Sequence, residues 1–230
     1  MNNIAENINF IKDKILSIKE NYSVKNDITI VAVSKTFPPS FIKEALNSGI
    51  NNIGENRYQE AKPKIKELID LKIKWHFIGT LQTNKIRKIM ELFHLIQSVS
   101  NIKHIDKIDA IAEEKRIVYP FFIEINIGGE KNKSGFLIDE IKDAIDKIKE
   151  KKNIVLKGLM CIPPYSENPE NSRAYFGKMK NIFDELKKEN NGTNILLEEL
   201  SMGMSEDYEI AIQEGATMVR IGRAIFGKRG

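Results

Sequence analysis

Apolar and β-branched residues return along this chain in short, nearly continuous runs: Ile28 to Ser34, Asn52 to Gly54, Ile73 to Gly79, Phe93 to Ser98, Pro120 to Ile127, Ile154 to Cys161, Leu196 to Ser201 and Thr217 to Ile221. Runs of this length without polar alternation read as strands buried on both faces, the pattern of a parallel sheet. Between them the pattern changes to a helical repeat, over Ser40 to Asn47, Tyr58 to Leu71, Thr83 to Glu91, Ile102 to Lys115, Leu137 to Lys151, Pro169 to Asn190 and Glu206 to Glu214. Strands that alternate with helices require parallel pairing through right-handed crossovers. Eight such units in about 200 residues predict an α/β (β/α)8 TIM barrel, whereas a doubly wound sheet of this length holds about five to seven strands. The amphipathic stretch Asn3 to Glu20 precedes the first strand and is expected outside the barrel as an added N-terminal helix. No linker, internal repeat or low-complexity segment interrupts the pattern, so one domain over residues 1–230 is expected.

Composition removes several alternatives. With 41% hydrophobic and 30% charged residues in 230, the chain can bury a large core without staples. Its single cysteine, Cys161, excludes an intramolecular disulfide, and three scattered histidines give no metal-ligand spacing. No stretch approaches the roughly 20 apolar residues of a membrane span. The first residues lack a basic segment ahead of an apolar core, so no membrane and a cytoplasmic location are expected. Sequons at Asn21, Asn132 and Asn191 carry no weight there. The net charge of +4 comes from lysines interleaved with acids, as in "IKDAIDKIKEKKN", and without an arginine-aromatic cluster it argues against nucleic acid.

Chemistry enters at "ITIVAVSKTFPPS", where a fully apolar run ends in Lys35 and a Pro-Pro turn follows. A strand-end lysine can pack its stem and hold its head in water, or it can be a partly buried amine that reacts with carbonyl compounds. The barrel places function at the C-terminal strand ends, with phosphate often held after strands seven and eight. There "SMGMSEDYE" offers the Ser201 hydroxyl, the close approach that Gly203 permits, and Ser205 as N-cap of the next helix. "RIGRAIFG" offers Arg220, Gly222 and the amides of the turn into Ala224. Either loop alone is equally a turn and a cap. Both together, opposite Lys35, suit a phosphate-bearing aldehyde, pyridoxal 5′-phosphate.

Other residues have two readings each. His76 in "WHFIG" faces either the cofactor ring or a hydrogen-bonded core, and Asn56 in "GENRYQE" either orients the cofactor or caps a helix. Lys133 in "KNKSGF" is either a second amine on the rim or a solvated loop lysine. Cys161 reads as a small buried hydrophobe; Met202 and Met204 either line the site or pack.

"VAVSKTFP", "GENRYQE", "WHFIGTLQTNK", "KSGF", "GLMCIPP", "LSMGMSEDYEIAI" and "VRIGRAIFG", in that order over nearly the whole chain, resemble the pyridoxal phosphate homeostasis protein family. The resemblance implies a barrel similar to the N-terminal domain of alanine racemase, with pyridoxal 5′-phosphate bound as an aldimine of Lys35. It implies phosphate contacts from Ser201, Gly222 and the following residue, and Arg220 against the cofactor. One departure stands out: many members have threonine after "RIG", where this chain has Arg223. The hydroxyl contact is lost there and only a backbone contact is left. Two functions follow, a non-catalytic protein that buffers the cofactor and hands it to apoenzymes, or an amino-acid racemase. The second needs an acid or base across the ring, which alanine racemase draws from a second domain and another subunit. This chain runs only a few residues past strand eight, leaving a rim tyrosine such as Tyr58 or Tyr165 to take that part. Lysine-rich helix exteriors without a broad apolar stripe predict a monomer.

Overall fold

Within each apolar run, side-chain alternation decides what faces the helices and what faces the barrel axis. The computed structural model describes residues 3–190 and 194–227. It closes eight parallel strands in sequential order, β1 (Thr29–Val33), β2 (Asn52–Glu55), β3 (Lys74–Phe77), β4 (Leu95–Val99), β5 (Tyr119–Ile125), β6 (Ile154–Cys161), β7 (Ile195–Ser201) and β8 (Met218–Ile221). Pairing of β1 with β8, with Val31 opposite Arg220, completes the expected barrel. The outer helices are α2 (Pro39–Asn47), α3 (Tyr58–Glu67), α4 (Ile86–Met90), α5 (Ile102–Lys115), α6 (Ile141–Lys149), α7 (Arg173–Glu189) and α8 (Tyr208–Gln213). The helix expected to reach Leu71 stops at Glu67, and the starts of three others tighten into 3-10 turns at Thr83–Lys85, Ile138–Glu140 and Pro169–Ser172. A four-residue helix, α9 (Arg223–Phe226), stands where the sequence suggested only a turn. The sequon at Asn191 lies outside the described residues.

The leading helix α1 (Ile4–Asn21) is capped by the Asn3 side chain, which accepts from the Glu6 amide at 3.2 Å. Ile4, Ile8, Ile11, Ile15 and Ile18 form its buried stripe, spaced so that three- and four-residue steps share one face. The main apolar core lies between strands and helices. Ile30, Ala32, Ile53, Trp75, Phe77, Ile96, Phe121, Ile123, Leu159, Leu200, Val219 and Ile221 point into it. The barrel interior holds only a small separate apolar cluster, Val31, Phe122, Met160 and Met218, with Leu95 and Ile162 packed against it. Polar side chains, among them His76, Gln97, Glu124, Ser201 and Arg220, fill inward positions beside it. Among the described residues no helix is long and apolar enough to cross a membrane.

Candidate functional site

Continuing the alternation past each strand end brings the inward set to the C-terminal rim. Val33 and Lys35 follow Val31, Asn56 follows Gly54, Ile78 follows His76, Glu124 follows Phe122, Ile162 follows Met160, and Arg220 follows Met218. All of these later residues line one cavity of about 570 Å³, together with Gly79, Thr80, Met204, Ser205, Glu206, Gly222 and Arg223. Gly79 is required there, since a Cβ would stand 2.0 Å from the Asn56 carbonyl oxygen. Val33, Ile78, Ile162 and Met204 give apolar walls, and the polar groups come from β1, β2, β5 and the loops after β7 and β8.

Beneath the cavity the polar interior forms one directed chain. Arg220 donates through Nη1 to Ser201 Oγ at 2.7 Å and through Nη2 to the Cys161 carbonyl at 2.9 Å. Ser201 donates to Gln97 Oε1 at 2.7 Å. Gln97 Nε2 meets His76 Nδ1 at 2.9 Å, and His76 Nε2 meets Asn52 Oδ1 at 3.0 Å. An amide nitrogen can only donate, so His76 Nδ1 accepts and Nε2 carries the proton given to Asn52. Burial holds the imidazole neutral, its pKa lowered to about 3. Two residues singled out in the sequence belong to this chain. Ser201 is fully buried, and its hydroxyl is already donor to Gln97 and acceptor from Arg220, so it serves the interior and is not on the cavity wall. His76 is a hydrogen-bonded interior residue two positions below Ile78, not a wall of the cavity.

The second serine of the same motif reaches the cavity. Ser205 Oγ accepts from the Ala224 amide at 3.2 Å and so caps α9, leaving its proton to donate. It does not cap α8, whose N-cap is Asp207; that carboxylate accepts from the Met204 amide at 2.7 Å. Gly203 lies off the cavity wall as well. Its φ is +89°, and a Cβ would meet Ala211 Cβ at 2.6 Å, so it turns the chain tightly against α8 and is not on the cavity wall. Gly222 opens α9, where the first amides precede the helical ladder. The Arg223 side chain crosses the mouth of this cup to Glu206 Oε2 at 2.5 Å. Phe37, in the turn after Lys35, packs on Phe226 of α9 with centroids 5.2 Å apart, joining the amine's loop to the cup.

Of the residues the sequence singled out, Lys35, Asn56, Arg220, Gly222 and Arg223 meet in one cavity, and Ser201, Gly203 and His76 do not line it. Lys35 is half-buried on the wall. Asn56 lines the cavity and does not cap α3, whose N-cap is Arg57. Lys133 borders a neighbouring cleft of about 750 Å³, where it donates to the Pro163 carbonyl at 2.9 Å and pairs with Glu130. Cys161 is buried, its thiol pushed up to about 12 by desolvation, as a small hydrophobe. Met202 packs in the core, and Met204 lines the cavity. Sequence reasoning missed Glu124. It is 9% exposed, lines the cavity, and among the described residues its carboxyl has no hydrogen-bond partner. Desolvation raises its pKa and the charge of Arg220 opposes the rise. The available signal was one acid inside the apolar run "PFFIEINI".

An amine, apolar walls, and the Ser205 hydroxyl beside the first amides of α9 are groups that a phosphorylated aromatic aldehyde could use. Comparisons with known proteins identify the family. Residues 2–230 match the alanine racemase N-terminal domain. The chain is 42% identical over 205 residues to the pyridoxal phosphate homeostasis protein of Aquifex aeolicus, covering 89% of each. It is 37% identical to the protein of that name from Pseudomonas aeruginosa, covering 100% of this chain and 97% of the relative. The solved structure of PipY from Synechococcus elongatus with PLP bound superposes with a TM-score of 0.84 at 31% identity, over 97% of this chain and 100% of that one. An alanine racemase from Clostridium difficile, at 16% identity and a TM-score of 0.72, shares the fold over 60% of its own length. The chain therefore belongs to the pyridoxal phosphate homeostasis protein family, built on the alanine racemase N-terminal domain fold.

Proposed function

We propose that this chain is a single-domain cytoplasmic protein that binds pyridoxal 5′-phosphate reversibly, buffers it and hands it to apoenzymes, acting as a monomer without turnover of its own. The observation that carries the reading is the meeting of Lys35 with the Ser205, Gly222 and Arg223 cup in one apolar-walled cavity. The cofactor supplies an aldehyde whose bond to an amine forms and reverses in water. The rest falls to the chain. Lys35 is the attaching amine, Ser205 Oγ and the α9 amides hold the anion, and Asn56 bounds the ring slot. Arg220, fixed from below by Ser201 and the Cys161 carbonyl, presents a cation to the floor. The PLP-bound PipY relative and the relatives' shared name support this assignment.

A second reading, amino-acid chemistry, has one observation in its favour. Glu124 is a buried carboxyl on β5, across the closed barrel from Lys35 at the end of β1, where a second acid or base would stand. Tyr58 and Tyr165 are not on the cavity wall, and Tyr165 is 85% exposed. The test mixes holo-protein with L- and D-amino acids in deuterated water and follows α-proton exchange, beside reactivation of an apoenzyme. Cofactor transfer without exchange is expected. Exchange that depends on both Lys35 and Glu124 would replace the proposal with an enzyme, and reactivation no faster than with free cofactor would reduce it to storage.

A further inference from the structure

We propose that Lys64 and Glu55 are positioning residues for Lys35: their buried ion pair braces the peptide that precedes Lys35 and so sets where the reacting amine stands. The inference rests on the reading of Lys35 as the attaching amine. Lys64, on α3, is buried, and its Nζ donates to Glu55 Oε1 at 2.7 Å and to the Ser34 carbonyl at 2.8 Å. Ser34 Oγ donates to the same Glu55 oxygen at 2.7 Å. The Ser34 carbonyl also accepts from the Phe37 amide at 3.0 Å, closing the turn that contains Lys35. Within that turn Thr36 has a φ of +71°, a conformation unfavourable for a β-branched residue unless its surroundings impose it.

Alternation explains why this cluster acts on the cavity without touching it. Ser34 and Glu55 point outward toward α3, and the next residues, Lys35 and Asn56, are both on the cavity wall. The Ser34 amide donates to the Gly54 carbonyl at 3.0 Å, and the Ile78 amide to the Glu55 carbonyl at 2.9 Å, so the brace is stitched to three neighbouring strand ends. Stability alone does not account for it. Glu55 is fully buried, its Oε2 has no partner among the described residues, and replacing such a pair by apolar residues is often neutral or stabilising. Desolvation raises the Glu55 pKa, while the hydrogen bonds from Lys64 and Ser34 oppose it. A pair kept at that cost between two cavity residues is fitted to hold geometry.

The test compares the parent with Lys64→Met and with the double variant Lys64→Met/Glu55→Leu, which fills the site with apolar volume. Three quantities are read: urea stability, the rate of covalent attachment of pyridoxal 5′-phosphate at Lys35 mapped by mass after borohydride reduction, and binding of pyridoxine 5′-phosphate, which has no aldehyde. Attachment at Lys35 should slow by about tenfold or more in both variants, with pyridoxine 5′-phosphate binding within about twofold of the parent. If Lys64→Met fails to fold, the double variant decides. Attachment at the parental rate in the folded variants overturns the proposal, and so does an equal loss of pyridoxine 5′-phosphate binding, which marks a general structural defect. A parent that reacts elsewhere than Lys35 overturns the functional reading and this inference with it.

Discussion

Ser201 and Ser205 lie four positions apart in one motif, and the regions they belong to are finished differently. Around Ser201, every step from Arg220 through Gln97 and His76 to Asn52 joins a donor to an acceptor. Around Ser205, the hydroxyl proton, Asn56 and the Glu124 carboxyl face a cavity. A satisfied buried network rigidifies and stabilises, whereas polar groups gathered on a concave wall with open capacity await a ligand. On the proposed reading the interior chain serves stability and fixes Arg220, and the rim binds the ligand.

The largest break in that contrast is Gln97→Leu. It leaves the Ser201 hydroxyl proton without its acceptor and His76 Nδ1 without its donor, so the apo-protein should lose roughly 2–5 kcal/mol in urea unfolding. A loss below about 1 kcal/mol would show that the chain is no structural unit. Next come the two serines themselves. Ser205→Ala should weaken binding of the phosphorylated cofactor by about 1–3 kcal/mol, leave unphosphorylated pyridoxal unaffected, and change stability by less than about 0.5 kcal/mol. Ser201→Ala should do the reverse, costing stability first. Titration calorimetry beside urea unfolding separates the two, and identical profiles would erase the distinction.

These regions were unequally legible in the sequence. All eight strands and the Lys35 terminus could be read, because continuous apolar runs and their abrupt polar ends survive in one dimension. The depth of a residue below the rim could not. Ser201 and His76 are inward-facing as expected of site residues, yet each sits one inward step too low, and spacing alone does not say where a strand's last rung lies. Helix α9 was too short for any periodicity, so its cap by Ser205 was hidden. Glu55 and Lys64 look like ordinary surface charges until α3 is laid over β2.

A smaller effect concerns pH. Above about pH 6.5 His76 is neutral both folded and unfolded and contributes no pH dependence. As pH falls from 6.5 toward about 3, the unfolded chain takes up a proton that the buried imidazole refuses, so stability is lost. Between about pH 7 and pH 4 the parent should lose more urea stability than His76→Asn, each measured against its own neutral value. Equal losses would mean that the folded interior accepts the proton. The smallest effect is at the mouth of the cup. The Arg223–Glu206 pair is exposed, so Arg223→Thr should shift stability by no more than about 0.5 kcal/mol. A gain in cofactor affinity there, read by calorimetry, would mean that the added hydroxyl joins the cup.

Everything at the rim turns on Lys35 being the amine at its focus. Its most direct test is to load the purified protein with pyridoxal 5′-phosphate, reduce with borohydride, digest, and locate the added mass. A stoichiometric adduct on Lys35 is expected, abolished by Lys35→Ala without unfolding of the protein; an adduct wholly on Lys133 or another lysine, with Lys35 unmodified, would overturn the assignment of the amine.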